Sequence, residues 1–210
     1  MSTTKKPVTT LTETQLAKAA DLLPEGVDFE GLTENLAGMD DIEFPRISCR
    51  QGKFYFTDDP GDKGVEEFEG VVLHYCNQNT YWAGNYDPRN IVPPDCFSGD
   101  GVTGSKTRDA SGRFGDCKSC KLNQFGSGNG KGKACRNQMK LYIQVVGQVV
   151  PYTLFLAPTS IGAFKQNYLI AKVTQRALLL HQVVTKFTSY QKSQETYWRI
   201  KFDVSSIYKG

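Results

Sequence analysis

Three features of the sequence predict a mainly β protein. From Phe44 onward, apolar and polar residues alternate with a period of two, which is the pattern of strands with one buried face. Gly, Asn, Asp and Pro residues separate these stretches, as expected of turns between strands. Only one segment of the body, at about 161–174, has the periodicity of an amphipathic helix. With 210 residues, of which 39% are hydrophobic, the chain can form one domain with a substantial core and appendages.

The strands and the helix follow one another in a definite order. Residues 44–50 and 53–57 predict a hairpin that turns at Gln51-Gly52, and Pro158-Thr159-Ser160 caps the helix. The remaining predicted strands are 66–76, 138–150, 152–157, 183–190 and 196–204. A small Greek-key barrel of the OB type has about five strands and often one helix, and it fits this order. A β-sandwich is the alternative.

An acidic leader precedes this domain. Residues 1–43 hold three Lys and nine Asp and Glu, and their helix formers predict that the leader is partly helical. The body, residues 44–210, is basic, with nine Lys and Arg against two Asp between Lys106 and Lys140. Such a body is expected to bind a polyanion, unless the charge only solvates the surface. Because no stretch is typical of a signal peptide or a membrane span, we expect a cytoplasmic protein without a membrane partner.

Four cysteines predict a metal site in the polar segment 95–137. Cys117-Lys-Ser-Cys120 is a C-x2-C motif, and Cys96 and Cys135 flank it at 20 and 14 intervening residues. A C-x2-C turn directs two thiolates at one ion, and two further thiolates complete a closed tetrahedral zinc site. Since this segment has few aliphatic residues, structural zinc is expected to organise it as an insertion in the barrel. A redox pair and an iron–sulfur cluster are the alternatives.

Alternation within the strands predicts which side chains face the core and which do not. The expected core residues include Met139, Leu141, Ile143, Val145, Trp198, Ile200, Phe202 and Val204, and Cys49 and Cys76 are expected to be core thiols. The opposite faces repeatedly carry a cation and a tyrosine, which suit the phosphates and bases of a single nucleic-acid strand. The predicted DNA-binding residues of the strands are Arg46, Arg50, Lys53, Tyr55, Lys140, Tyr142, Lys186, Tyr197, Arg199 and Lys201, and those of the insertion are Lys131, Lys133 and Arg136. Ordinary solvent-facing positions on amphipathic strands are the alternative explanation.

No motif indicates an enzyme. The glycine-rich stretch 125–133 lacks the spacing and the hydroxyl residue of a phosphate-binding loop. The sequence has only two His residues and no obvious Ser/His/Asp or Cys/His grouping. We therefore expect a binding protein without a small-molecule substrate.

The four-cysteine segment resembles that of a group of phage and mobile-element proteins. The similarity rests on 94–101, 115–120, 125–127 and 130–135, and it extends over roughly 44–205. Those proteins carry a zinc-binding four-cysteine insertion in a body of the single-strand-binding type. The resemblance implies a bacteriophage single-stranded DNA-binding protein of the host cytoplasm, acting in DNA replication or recombination with proteins of those processes as partners.

Two other functions remain open at this point. The zinc module of a transcription-related phage protein would bind RNA polymerase or duplex DNA. A nuclease or another metal enzyme would cleave nucleic acid with a divalent ion.

Overall fold

The computed structural model describes residues 43–56, 61–84, 92–108, 114–193 and 195–207, and the helices predicted in the leader lie outside these ranges. Strands predominate, as the alternation predicted. They are β1 Arg46–Arg50, β2 Lys53–Tyr55, β3 Glu67–Tyr81, β4 Cys96–Ser98, β5 Thr103–Arg108, β6 Phe114–Asp116, β7 Arg136–Val145, β8 Tyr152–Leu156, β9 Val183–Tyr190 and β10 Arg199–Ile207. Helix α1, Pro158–Gly162, continues as a π-helix, Ala163–Val173, and three short 3-10 turns lie at Lys121–Asn123, Thr174–Arg176 and Leu180–Gln182.

Eight of the strands form one curled sheet. Its order is β10-β9-β3-β7-β8-β1-β2, and β4 pairs with the end of β3. The pairs are antiparallel except β1 with β8, which is parallel. The Ser189 hydroxyl on β9 donates a hydrogen bond to the Gly52 carbonyl between β1 and β2. The two ends of the sheet therefore approach each other, and the sheet is a half-barrel with an inner and an outer face.

The inner face holds the hydrophobic core. All four predicted core residues of β7 are buried, which confirms the orientation of this strand. Aromatic rings fill the centre: Phe68 and Phe187 stack with their centroids 4.5 Å apart, and Phe164 and Tyr168 of the π-helix pack against Phe202. Truncating a fully buried aromatic ring to Ala costs about 3–5 kcal/mol, so this cluster dominates the stability of the half-barrel.

The one long helical segment covers this core. The predicted apolar face is confirmed, because Phe164 and Tyr168 are buried while Ile161 and Leu169 pack against the same cluster. Within the ranges that the structure describes, no helix is long and apolar enough to cross a membrane.

Strand β3 is longer than the sequence predicted. The predicted strand ends at Cys76, but the polar segment from Asn77 to Tyr81 pairs with β7 on one side and, at its end, with β4 on the other. A register shift between Val72 and His74 changes which residues face outward. Odd-numbered residues point out before this bulge and even-numbered residues after it. This change places Gln78 and Thr80 on the outer face.

Two of the predicted core residues are not in the core. Trp198 precedes β10 and is 40% exposed, and its indole ring lies over Gly52, where an added Cβ would come within 2.6 Å of the ring. Gly52 also has a φ of +80°, so this turn needs glycine on two grounds. Cys76 lies on the outer face opposite Lys140, because the bulge in β3 shifts its orientation. Cys49 does pack against the core, and burial raises the pKa of its thiol.

Candidate nucleic-acid interface

Part of the outer face of the half-barrel carries most of the predicted strand cations and tyrosines together. Strands β2, β1, β8, β7 and the end of β3 lie side by side, and β4 completes this area. Register pairs such as Lys140 with Phe155 and Thr80 with Arg136 show which side chains share the surface. We call this area the groove face, and its residues are Arg46, Arg50, Lys53, Tyr55, Gln78, Thr80, Phe97, Arg136, Gln138, Lys140, Tyr142 and Phe155.

Cations on the groove face lie over aromatic rings. The Arg46 guanidinium is 4.6 Å from the centroid of the Phe155 ring, and the Lys140 ammonium is 5.6 Å from the centroid of the same ring. Lys140 is also 4.8 Å from the Tyr142 ring. In the hairpin of β1 and β2, the Arg50 guanidinium lies 4.8 Å from the centroid of the Tyr55 ring. These arrangements hold the charged groups near flat apolar surfaces, and the rings bring no opposing charge of their own.

Two adjoining hollows form a groove along this face. The larger has a volume of about 980 Å³ and is lined by rings of Trp82, Phe97 and Phe155 together with Pro93 and Pro94. The smaller, of about 430 Å³, extends toward Arg50 and Trp198. The residues that line both hollows are Arg46, Arg136, Gln138 and Phe155. The groove is therefore continuous, and cations and rings line it from end to end.

The groove is electropositive. Among the described residues that line the two hollows, none is Asp or Glu. The sequence itself has no Asp or Glu between Asp116 and Glu195, a stretch that includes all of β7, β8 and β9. A groove with positive charge and little counter-charge attracts polyanions and raises their association rate.

The sequence did not predict four aromatic residues of the groove. Phe155 had a usable signal, because it alternates with Leu154 and Leu156, which are both buried. Trp82 and Phe97 lie outside the predicted strands, and Trp198 was predicted to face the core. Only the pairing of β3 with β4 and β7 brings Trp82 and Phe97 to the groove, and such non-local pairing leaves little local signal.

The predicted cations on β9 and β10 are arranged differently. Lys186 forms an ion pair of 2.6 Å with Glu67, and this hydrogen bond raises the pKa of the lysine. Lys201 pairs with Asp203 at 2.7 Å. Arg199 pairs with Glu195 at 2.6 Å, and this bond raises the pKa of the guanidinium. We call these three residues the β9–β10 cations.

Tyr197 belongs with this second group. Its hydroxyl accepts a hydrogen bond of 3.0 Å from Arg199, whose guanidinium lies 5.3 Å from the Tyr197 ring. The structure thus divides the predicted DNA-binding strand residues into two sets. One set lies on the groove face beside aromatic rings, and the other is paired with carboxylates at the opposite end of the sheet.

The four predicted metal ligands line one small cavity of about 10 Å³. Cys117 is buried and Cys96, Cys120 and Cys135 are half-buried. Burial raises the pKa of the Cys135 thiol to about 11, and the charges of the other three cysteines act in the same direction because they are close. No Asp, Glu, Lys or Arg is among the described residues that line this cavity. Four sulfur donors in an uncharged setting fit a soft tetrahedral ion such as zinc.

The four thiols, as placed, do not form a complete set of metal ligands. Across the described residues, the side chains as placed form no group of three or more His, Cys, Asp or Glu that could hold a metal ion. The structure therefore brings the four cysteines around one cavity, and zinc itself stays a prediction.

The cysteine cavity lies behind one end of the groove. Cys96 is followed by Phe97 and Cys135 by Arg136, and successive residues of a strand point to opposite faces. The backbone that carries Cys96 and Cys135 therefore also fixes the positions of Phe97 and Arg136 in the groove. Hydrogen bonds tie the insertion together here, including Cys135 N to the Leu122 carbonyl at 2.8 Å. Asn137 on β7 donates to Asn79 at 2.6 Å and to Asn123 at 2.9 Å, which links the insertion to the sheet.

The two predicted lysines of the insertion lie beyond this end of the groove. Lys131 is exposed. The Lys133 ammonium lies 5.0 Å from the Phe125 ring and donates a hydrogen bond of 3.3 Å to Asn123.

Comparison with known proteins gives no relative for this chain. No protein-family model matches it, and no match was found among the curated proteins or the solved structures. The function proposed below therefore rests on the geometry of the groove and of the cysteine cavity, together with the resemblance of the four-cysteine segment.

Proposed function

We propose that this protein binds single-stranded DNA along the groove face, without reading its sequence. The observation that carries the proposal is the row of cation–ring contacts at Arg46, Lys140 and Arg50 beside a continuous groove, whose described lining residues include no carboxylate. The cations meet phosphates and the rings stack on bases, which is how proteins hold a flexible single strand. DNA, and a place in phage replication or recombination, are part of the proposal because of the resemblance of the four-cysteine segment.

An unpaired strand suits the groove better than a duplex does. Phe155, Trp82 and Phe97 present ring surfaces inside the groove, and a base can stack on a ring only when it leaves its own helix. A duplex would offer these rings mainly phosphates and sugars. The curled sheet with one helix is also compatible with the proposed OB-type barrel, in which single strands bind across the sheet.

We further propose that zinc held by Cys96, Cys117, Cys120 and Cys135 supports the groove. Zinc in such a site would cross-link β4 and the start of β7 to the C-x2-C turn between them, and it would have no open position for catalysis. The role of the site is therefore structural, and the protein is proposed to bind DNA without cleaving it.

A titration with labelled oligonucleotides tests the proposal. We expect tighter binding to a single strand than to a duplex of equal total charge, measured by fluorescence anisotropy, and no cleavage of either when Mg²⁺ or Mn²⁺ is added. Phe155→Leu, which keeps a large apolar side chain but removes the ring, should weaken single-strand binding. Leu154→Met on the inner face of the same strand is the matched control. Equal or tighter duplex binding would contradict the proposal and favour the transcription-related alternative.

A further inference from the structure

One aromatic side chain of the insertion is far more exposed than the rings of the groove. Phe125 is 83% exposed, whereas Phe97 and Trp198 are 41% and 40% exposed. A phenyl ring in water loses the favourable transfer free energy of its apolar surface. A single exposed ring is common on protein surfaces, but this one also has a fixed support, neighbouring cations and a path to the groove.

The loop behind Phe125 is well ordered by hydrogen bonds. The Ser127 hydroxyl bonds to the carbonyls of Leu122, at 2.8 Å, and Gln124, at 2.6 Å. Gly126 N and Gly128 N both donate to the Gly132 carbonyl, at 2.9 and 3.1 Å. Phe125 is therefore presented on a fixed support, so that covering the ring costs little conformational entropy.

The charges around the ring favour an anionic ligand. Lys133 lies 5.0 Å from the ring centroid, and Lys121 and Lys131 are exposed on the same loop. The nearest preceding acid in the sequence is Asp116, whose carboxylate accepts hydrogen bonds from the backbone of Lys118 and Ser119. A ring surrounded by cations suits a nucleobase with its phosphates better than it suits an apolar protein segment.

The same loop is continuous with the groove. Ala134 lines the larger hollow, and its N–H donates a hydrogen bond of 3.0 Å to the Ser127 hydroxyl. A strand that leaves the groove at the end formed by Trp82 and Phe97 would therefore pass toward Phe125.

We propose that Phe125 is an outlying stacking platform for a base of the same single strand that fills the groove. This inference rests on the proposed function and adds a second contact point, with Lys133 holding the adjacent phosphate. It predicts that the binding site is longer than the groove. The affinity should then rise in a step when an oligonucleotide becomes long enough to reach the platform.

A series of labelled oligo-dT strands, from about 4 to about 30 nucleotides, tests this inference with the full-length protein. The wild-type protein should show the step in affinity, and Phe125→Ala should remove it. Binding to the long strands should weaken about 5- to 150-fold, the factor that corresponds to one stacked base. Binding to strands that fill only the groove should be unchanged. Leu179→Ala, which removes another exposed apolar side chain, is the control and should behave like the wild type.

The outcomes separate this inference from the proposed function. If the wild-type protein binds every length and Phe125→Ala binds equally well, the platform is refuted and the groove stands. If Phe125→Ala weakens short and long strands alike, Phe125 acts through the fold and the inference is also refuted; the thermal midpoint of the variant, expected to be unchanged, provides a check. If the wild-type protein binds no oligonucleotide, both proposals fail together.

Discussion

The two ends of the outer sheet surface use the same residue types in opposite ways. On the groove face, Arg46 and Lys140 lie over aromatic rings, whereas at the other end Lys186 and Lys201 lie against carboxylates. An ion pair lowers the positive potential around a cation, whereas an aromatic ring brings no opposing charge of its own. If the groove face binds a strand as proposed, the partner of a cation indicates the binding surface better than the cation itself does.

The largest expected effect comes from removing two groove-face cations together. Arg46→Ala with Lys140→Ala should weaken single-strand binding about 100-fold, since each lost contact of a charged group costs about 1.5 kcal/mol or more. The slope of log affinity against log salt should become shallower by about 1.4, which is about 0.7 for each phosphate contact. Salt titrations with labelled oligonucleotides measure both quantities.

The matched control for this variant is Lys186→Ala with Lys201→Ala. Both variants lose two positive charges from the same sheet, so a difference between them measures position and partner. We expect the control to keep nearly the wild-type affinity and slope, because these lysines are already paired with Glu67 and Asp203. Equal losses in the two double variants would contradict the distinction between the two ends.

Removal of the metal is expected to affect the groove end only. Cys117→Ser with Cys120→Ser should release about one zinc ion per chain, measured by elemental analysis of the purified protein. Backbone hydrogen exchange should then increase around Phe97 and Arg136, because they follow Cys96 and Cys135, the two remaining proposed ligands, in the chain. Single-strand affinity should fall by about 2 kcal/mol, as expected for the loss of one stacking contact and one phosphate contact.

Strands β9 and β10 provide the internal control for that experiment. They have their own core contacts around Phe187 and Phe202, so their exchange rates should not change. A wild-type protein without zinc, or with the visible absorption of an iron–sulfur cluster, would refute the metal assignment.

The ring of Phe155 should contribute a smaller amount. Phe155→Leu keeps an apolar side chain beneath Arg46, so we expect a loss near the lower end of the 1–3 kcal/mol that one stacked base contributes. Because no charge is removed, the salt slope should stay close to that of the wild type. A shallower slope in this variant would mean that the ring mainly positions Arg46, and the stacking role would then be wrong.

The elements with strong local patterns were predictable from the sequence. The alternation in β7 predicted its buried residues, and the C-x2-C motif with its flanking cysteines predicted which thiols lie around one cavity. The polar end of β3, Asn77–Tyr81, gave no such signal, because it forms a strand only by pairing with β7 and β4. The bulge after Val72 then inverted the orientation expected for Cys76.

The division of the cations into two sets was also beyond the sequence. Lys186 and Glu67 are 119 residues apart in the chain, and only the pairing of β3 with β9 brings them together. The same holds for Arg46 and Phe155, which meet through β1 and β8. Alternation predicts that such residues point away from the core, but it does not specify what lies beside them.

The smallest expected effect concerns the carboxylate that pairs with Lys201. Hydrogen bonds from Lys172 and Lys201 hold the pKa of Asp203 below its usual value. The ionised carboxylate therefore stabilises the fold above the unfolded-state pKa of about 4, and this contribution is lost as the pH falls through the lower folded-state pKa. Asp203→Asn should lower the free energy of unfolding by about 0.2–1 kcal/mol at pH 7, since the groups are partly exposed. The difference from the wild type should shrink as urea unfolding is repeated at lower pH.

The same variant tests whether the carboxylate is what keeps the β9–β10 end from binding DNA. Asp203→Asn releases Lys172 and Lys201 from their common partner, yet it adds no ring on which a base could stack. A cation without a stacking surface contributes only salt-sensitive attraction, so single-strand affinity should rise by less than about threefold, and only at low salt. A rise of tenfold or more that persists at physiological salt would show that this end can bind a strand once its carboxylate is removed. In that case the ion pairs, and not the difference in aromatic contacts, would be the feature that distinguishes the two ends of the sheet.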